Sequence, residues 1–238
     1  MYRGLHVALV VPVLDEEKKI GRVVRRVPRD VVDHLLVVDD GSTDSSREVA
    51  RAGGADVLGL GRTMGVGAAL RAGFAAARQR GCDVIAVCAG NDKDAPEELP
   101  RLLAPLADGA DFVQGSRYLA GGRSGGMPAY RRVATRLHPL LFSLVAGKRV
   151  SESTNGFRAF RATLLDDPRI RLDQSWLEGY ELEPYLYCQA IRLGYATREV
   201  PVTKLYPPRS VGYTKMPPVT GWWSMLKPLV LLGLGMRR

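Results

Sequence analysis

The stretch that decides the fold is Val84-Ile85-Ala86-Val87-Cys88-Ala89-Gly90-Asn91-Asp92-Lys93-Asp94-Ala95-Pro96. An apolar, β-prone run delivers two carboxylates, one residue apart, to a turn that Pro96 closes into a helix. A run that is apolar without alternation reads as a strand buried on both faces of a parallel sheet. The turn suits a hard cation: Mg²⁺ or Mn²⁺ on one or two carboxylates keeps open positions that phosphate oxygens fill.

The same unit recurs on either side. Upstream, Leu5 to Val11 is a near-continuous apolar strand that ends at Pro12-Val13-Leu14-Asp15-Glu16-Glu17. The helix that follows carries Ile20, Val23, Val24 and Val27 on its buried face. His34 to Val38 forms a second strand, closing on Asp39-Asp40-Gly41-Ser42-Thr43-Asp44, where Gly41 permits a tight turn and Asp44 or a neighbouring hydroxyl caps the next helix. A third strand fits Ala55 to Leu60, and Gly65-Val66-Gly67 opens an Ala-rich helix through Arg80. Downstream, Leu99, Leu102, Leu103 and Leu106 mark an amphipathic helix, and Asp111 to Gly115 a fifth strand. Alternation of this kind predicts an α/β fold, a Rossmann-like, mostly parallel sheet with helices on both faces. Ligands gather at the carboxyl ends of such strands. Four polar clusters fall there: Pro12 to Glu16, Asp39-Asp40, Asp92 with Asp94, and Ser116-Arg117.

Beyond Leu119 the rhythm breaks. Ala120 to Gly126 reads as a flexible Gly-rich loop, and Tyr130 to Leu144 as a basic amphipathic helix carrying Arg131, Arg132 and Arg136, kinked or interrupted at Pro139. Thr154 to Arg161 alternates as a half-exposed strand would. A helix from Tyr180 to Leu193 and a strand from Thr197 to Lys204 complete an extension of the sheet, a second wall of the site. Residues 1–206 are thus expected to form one domain, divided into two halves, 1–118 and 119–206. In residues 207–238 an irregular basic stretch reaching Lys215 reads as a lid over phosphates. Trp222-Trp223, Lys227, the apolar Leu229 to Leu234 and Arg237-Arg238 then suit a membrane interface. A helix packed on the core, or a homodimer contact, is the alternative.

The chain has 238 residues and a formal net charge of +9. That excess suits phosphate-rich substrates or an anionic membrane surface; the cations are dispersed and accompany no nucleic-acid motif, so nucleic acid is not expected as a partner. Cys82, Cys88 and Cys188 lack metal-site spacing and read as reduced core thiols. With neither a signal peptide nor an apolar run of about 18 residues, the chain is expected in the cytoplasm, at most peripheral on the inner membrane face. His6, His34 and His138 are isolated and read as structural.

On these residues the chain resembles family 2 glycosyltransferases of the GT-A fold, in the branch similar to dolichol-phosphate mannose synthases. Val10 to Glu16 matches the opening motif, with Asp15 where the family has Asn. Val37 to Asp44 matches the second signature, Asp92-Lys93-Asp94 takes the metal-binding position, and Gly115 to Tyr118 and Thr154 to Arg161 correspond as well. The resemblance implies that Pro12, Val13, Asp15, Glu16, Asp39, Asp40, Gly67, Asp92 and Lys93 hold the sugar nucleotide, and that Asp92 and Asp94 reach its diphosphate through Mg²⁺ or Mn²⁺. It further implies that Arg117, Arg131 or Arg132, Asn155, Arg158 and Lys215 face donor or acceptor phosphates. One departure concerns the metal: Ala95-Pro96-Glu97 lacks the Gln or other polar residue that often completes that site.

The expected reaction is metal-dependent transfer of a sugar from a GDP- or UDP-sugar to a polyprenyl phosphate, with inversion. Asp94 and Arg117 would stabilise the leaving diphosphate. Glu181, favoured over Glu183, would act as base for a hydroxyl acceptor. A soluble small-molecule or glycan acceptor is one alternative, and a non-catalytic nucleotide-sugar or membrane-surface binding module another. A nicotinamide dehydrogenase is excluded, since Pro12-Val13-Leu14-Asp15 stands where Gly-x-Gly-x-x-Gly is needed.

Overall fold

The computed structural model describes residues 1–208, 210 and 220–236. In the first half, β1 (Val7–Val13), α1 (Glu17–Arg25), β2 (His34–Asp39), α2 (Ser46–Ala52), β3 (Asp56–Gly59), α3 (Val66–Gln79) and β4 (Val84–Val87) alternate as expected. Pro96 starts a 3₁₀ turn that leads into α4 (Leu99–Ala107) and β5 (Phe112–Ser116). The second half contains β6 (Arg123–Gly125), α5 (Ala129–Ala146), β7 (Arg158–Arg161), α6 (Leu182–Arg192), β8 (Thr197–Pro201), β9 (Thr203–Leu205) and α7 (Thr220–Gly233).

Seven strands form one sheet in the order β3-β2-β1-β4-β7-β5-β8, and β6 and β9 form a small parallel pair. The first strand shows why its run is continuously apolar. Val7, Leu9, Val11 and Val13 pack on one face with Ile20, Val23 and Val24, while Ala8 and Val10 meet Leu70 and Phe74 on the other. Both faces are covered, so alternation disappears. Cys82, Cys88 and Cys188 are buried and outside any disulfide.

Three expectations are corrected in the second half. β7 is interior and antiparallel to both β4 and β5, not half-exposed. Its alternation misleads because Arg158 is itself buried, donating to the carbonyls of Glu183 at 2.9 Å and Asn155 at 2.6 Å. α5 runs unbroken through Pro139, its inner face anchored on both sides of the proline by buried Thr135, His138 and Phe142. The Gly-rich loop supplies β6, whose partner β9 is separated from β8 by Val202.

That break in the last strand matters for the site. β9 turns toward the loop after β4, where Leu205 N–H donates to Lys93 O at 2.8 Å and Lys204 bridges Asp94. The C-terminal α7 packs on α5 and α6 through Met225, Leu229 and Leu232. His138 ties α5 to α7 and to the loop before β7, with Nδ1 2.7 Å from Ser153 Oγ and Nε2 3.2 Å from Met225 O. Tyr130, Val133, Leu137, Leu140 and Leu144 along α5, and Trp223 on α7, remain exposed. Among the described residues, no helix is long and apolar enough to cross a membrane.

Candidate active site

At the carboxyl ends of β1, β2, β4 and β5 the structure opens a cleft of about 380 Å³. Pro12, Val13, Leu14 and Glu16 line it from β1, Asp40 from β2, Ala89, Gly90, Asn91 and Lys93 from β4, and Arg117 beyond β5. The opposite wall comes from Arg131 and Thr135 of α5, Tyr180 and Glu183 near α6, Lys204 of β9, Tyr206, and Trp222 of α7.

The acidic end is built by loop geometry. Gly41, at φ 82°, runs so close to Arg62 that a Cβ would fall 2.5 Å from that backbone. This approach brings the amides of Met64 and Gly65 to Asp40, whose carboxylate accepts them at 2.7 and 2.9 Å. Asp39 faces inward, accepts Ser42 N–H at 3.2 Å and meets Arg47 Nε at 3.6 Å. Asp15, at φ 44°, accepts Thr43 N–H at 2.7 Å. Neither Asp39 nor Asp15 lines the cleft. Glu16 does, paired with Lys19. Gly67 serves packing: its N–H donates to Glu178 O at 2.8 Å, and a Cβ there would meet Leu177 O at 2.1 Å.

The other end is cationic. Arg117 Nε donates to Glu152 at 2.6 Å, while its buried Nη1 has no hydrogen-bond partner among the described residues. Arg131 is buried with Nε and Nη2 in the same state, whereas Arg132 is exposed on the far side of the helix. Lys93 lies over the Tyr206 ring at 4.6 Å. Burial, with Lys204 and Arg131 close by, pushes its ammonium down to about 7. Lys204 Nζ donates to Asp94 Oδ1 at 2.5 Å and to Asn155 Oδ1 at 2.9 Å. Asn155 and Arg158 are buried behind the wall and do not line the cleft. Lys215 lies outside the described residues, as does most of the stretch assigned to a lid.

The acid pair of the opening stretch does not form a cation site as the structure places it. Asp92, at φ 56°, turns to Arg22 at 2.5 Å and Arg26 at 3.0 Å. Asp94 is held by Lys204, and its Oδ2 accepts Ala89 N–H at 3.2 Å. Among the described residues, no group of three or more His, Cys, Asp or Glu side chains is placed to hold a metal ion. Glu181 also sits elsewhere: it lines a more open hollow with Trp176 and Ser224, 3.9 Å from Lys227 Nζ. The acid that reaches the cleft is Glu183, ion-paired with Arg158 at 3.3 Å.

Lys19, Lys204 and Tyr180 are lining residues that the sequence did not single out for the site, and Trp222, expected with Trp223 at a membrane interface, lines the cleft. Lys19 stands three residues from Glu16 on α1, a spacing that pairs opposite charges and was readable. Lys204 was not, because nothing local announces that β9 crosses to the β4 loop.

Comparison with known proteins agrees with this geometry. The Glycosyl transferase family 2 model matches residues 8–167. A polyprenol monophosphomannose synthase of Mycolicibacterium smegmatis is 34% identical over 215 residues, which cover 87% of this chain and 80% of that protein. An undecaprenyl-phosphate mannosyltransferase of Micrococcus luteus is 33% identical over 219 residues, covering 89% and 88%. Among solved structures, glucosyl-3-phosphoglycerate synthase from Mycobacterium tuberculosis, crystallised with Mn²⁺, UDP and phosphoglyceric acid, superposes with a TM-score of 0.69 at 24% identity, over 95% of this chain and 79% of that one. The same synthase was also crystallised with Mg²⁺ and UDP. A sheet whose carboxyl edge carries the cleft, and a family match over more than half the chain, place this protein in glycosyltransferase family 2, with the GT-A fold.

Proposed function

We propose that the protein transfers a sugar from a GDP- or UDP-sugar to a polyprenyl phosphate, with inversion at the anomeric carbon. The observation that carries this reading is the polarity of the cleft: an amide-held carboxylate, Asp40, at one end, and buried guanidinium groups with free N–H donors at the other. Asp40, with Pro12 and Val13, takes the nucleoside, and Arg117 and Arg131 face phosphate oxygens. In this reading residues 1–118 form the donor half and 119–206 the acceptor half, and Trp223 of α7 faces the membrane.

The state of the acids favours a phosphate acceptor over a hydroxyl. Asp40 is tied to backbone amides, Glu16 to Lys19 and Glu183 to Arg158, while Glu181 is outside the cleft. A hydroxyl needs a base within hydrogen-bond reach, whereas a phosphate is already anionic and attacks unaided. The exposed apolar stripe of α5 and Trp223 suit contact with a bilayer that carries such an acceptor. The names of two relatives, polyprenol monophosphomannose synthase and undecaprenyl-phosphate mannosyltransferase, point the same way.

The test is incubation with radiolabelled GDP-mannose, and in parallel a UDP-hexose, together with undecaprenyl phosphate in detergent. Label is expected in the organic-extractable, lipid-linked fraction. Transfer only to a water-soluble hydroxyl acceptor would overturn the acceptor assignment, and hydrolysis or binding without transfer would overturn the activity.

A further inference from the structure

Resting on the transferase reading above, we infer that the leaving diphosphate is neutralised by the ammonium groups of Lys93 and Lys204, and not by a divalent cation on Asp92 and Asp94. A divalent site needs carboxylate oxygens aimed at the ligand. The residues after β4 that line the cleft are Ala89, Gly90, Asn91 and Lys93, none of them acidic. Asp92 is turned to Arg22 and Arg26, and both oxygens of Asp94 are engaged, one by Lys204 and one by the Ala89 amide. Seating a cation on Asp94 would break a buried pair and leave an ammonium beside the incoming charge.

The charge balance of the cleft argues in the same direction. Lys19, Lys93, Arg117, Arg131 and Lys204 line it, each at most 7% exposed; Glu16, Glu152 and Asp94 pair with Lys19, Arg117 and Lys204, which leaves Lys93 and Arg131. Among the described residues, no carboxylate lies within ion-pair distance of Lys93. Buried cations without counter-ions are costly. A multiply charged anion relieves that cost, and a divalent cation adds to it. Lys204 Nζ uses two of an ammonium's three donors, on Asp94 and Asn155, which leaves the third for a phosphate oxygen. During transfer the bond between the sugar C1 and the β-phosphate oxygen breaks, and its electron pair stays on that oxygen. The acceptor phosphate oxygen forms the new bond to C1, and no proton moves. The lysines meet the charge that develops on the departing oxygen.

Calorimetric titration of the full chain with GDP and with UDP, in EDTA and then in MnCl₂, tests this. Affinity in EDTA is expected to lie within about threefold of that in Mn²⁺, and Lys93→Gln is expected to weaken it about 10- to 100-fold in both buffers. Manganese resonance spectra should show no protein-held ion beyond what the nucleotide itself carries. Binding that requires Mn²⁺, or a Lys93→Gln variant with unchanged affinity, overturns the lysine assignment and leaves the transferase reading standing. If neither GDP nor UDP binds in either buffer, both readings are overturned together.

Discussion

The loops that follow β2 and β4 look alike in sequence and behave differently in the fold. Each leaves a buried apolar strand and carries two acids, Asp39-Asp40 in one and Asp92 with Asp94 in the other. In the first, Asp40 faces the cleft and is held by the amides of Met64 and Gly65. In the second, both carboxylates meet cations delivered by other elements, Arg22 and Arg26 from α1 and its end, and Lys204 from β9. Amides orient a carboxylate and leave its charge for a ligand; an ammonium or guanidinium cancels it. The spacing of acids along the chain therefore does not specify their chemistry, which is set by what the neighbouring elements offer.

The comparison breaks hardest at the Asp94–Lys204 pair. Both side chains are at least nine-tenths buried, at 2% and 7% exposure. Lys204→Met should destabilise the fold by about 3–5 kcal/mol, because it strands the carboxylate of Asp94. Asp94→Leu combined with Lys204→Met should recover most of that loss while nucleotide binding stays weak. Urea denaturation of the two variants reads the first effect and calorimetry the second. A double variant that binds GDP or UDP normally would remove Lys204 from the site.

On the β2 side, Asp40→Ala leaves two amide donors bare and removes the charge at the nucleoside end. Transferase kcat/KM is expected to fall about 100-fold, with Asp40→Asn retaining part of it, since an amide oxygen still accepts from Met64 or Gly65. A loss confined to thermal stability, with kcat/KM unchanged, would reduce Asp40 to a loop brace.

What was legible follows the same division. The first half was readable because β1, β2 and β4 are covered on both faces and its longer helices show one apolar stripe each, so periodicity fixed the alternation and put Pro12, Asp40 and Arg117 at one edge. The second half hid itself where polar residues are interior. Arg158 and Asn155 imitate a solvent-facing pattern while satisfying buried carbonyls, and β7 enters the sheet antiparallel between strands distant in sequence. Arg131 and Arg132 were inseparable by composition; the helix phase, set by which face packs on α6 and α7, turns only the first inward. The choice between Glu181 and Glu183 turned on the start of α6, a boundary that sequence reading fixes poorly.

The smallest expected effect sharpens the comparison most, because it isolates charge in the β4 loop. Asp92 is nearly buried, but its partners Arg22 and Arg26 are 51% and 38% exposed at their side chains, so water and salt screen the pairs. Asp92→Asn should cost about 0.2–1 kcal/mol. The cost should shrink as the screening length falls from about 10 Å at 0.1 M salt to about 3 Å at 1 M. Asparagine is the substitution to use: Asp92 sits at φ 56°, where Asn is tolerated and a Cβ-bearing residue without a short polar side chain adds roughly 1–2 kcal/mol of backbone strain. Asp92→Ala measured beside it separates the two contributions, since strain does not respond to salt. If the asparagine variant instead loses more than about 2 kcal/mol, independent of salt, exposed ion pairing is too weak to account for it. The carboxylate would then hold something the arginines do not supply, and the likeness of the two loops would extend beyond their sequence.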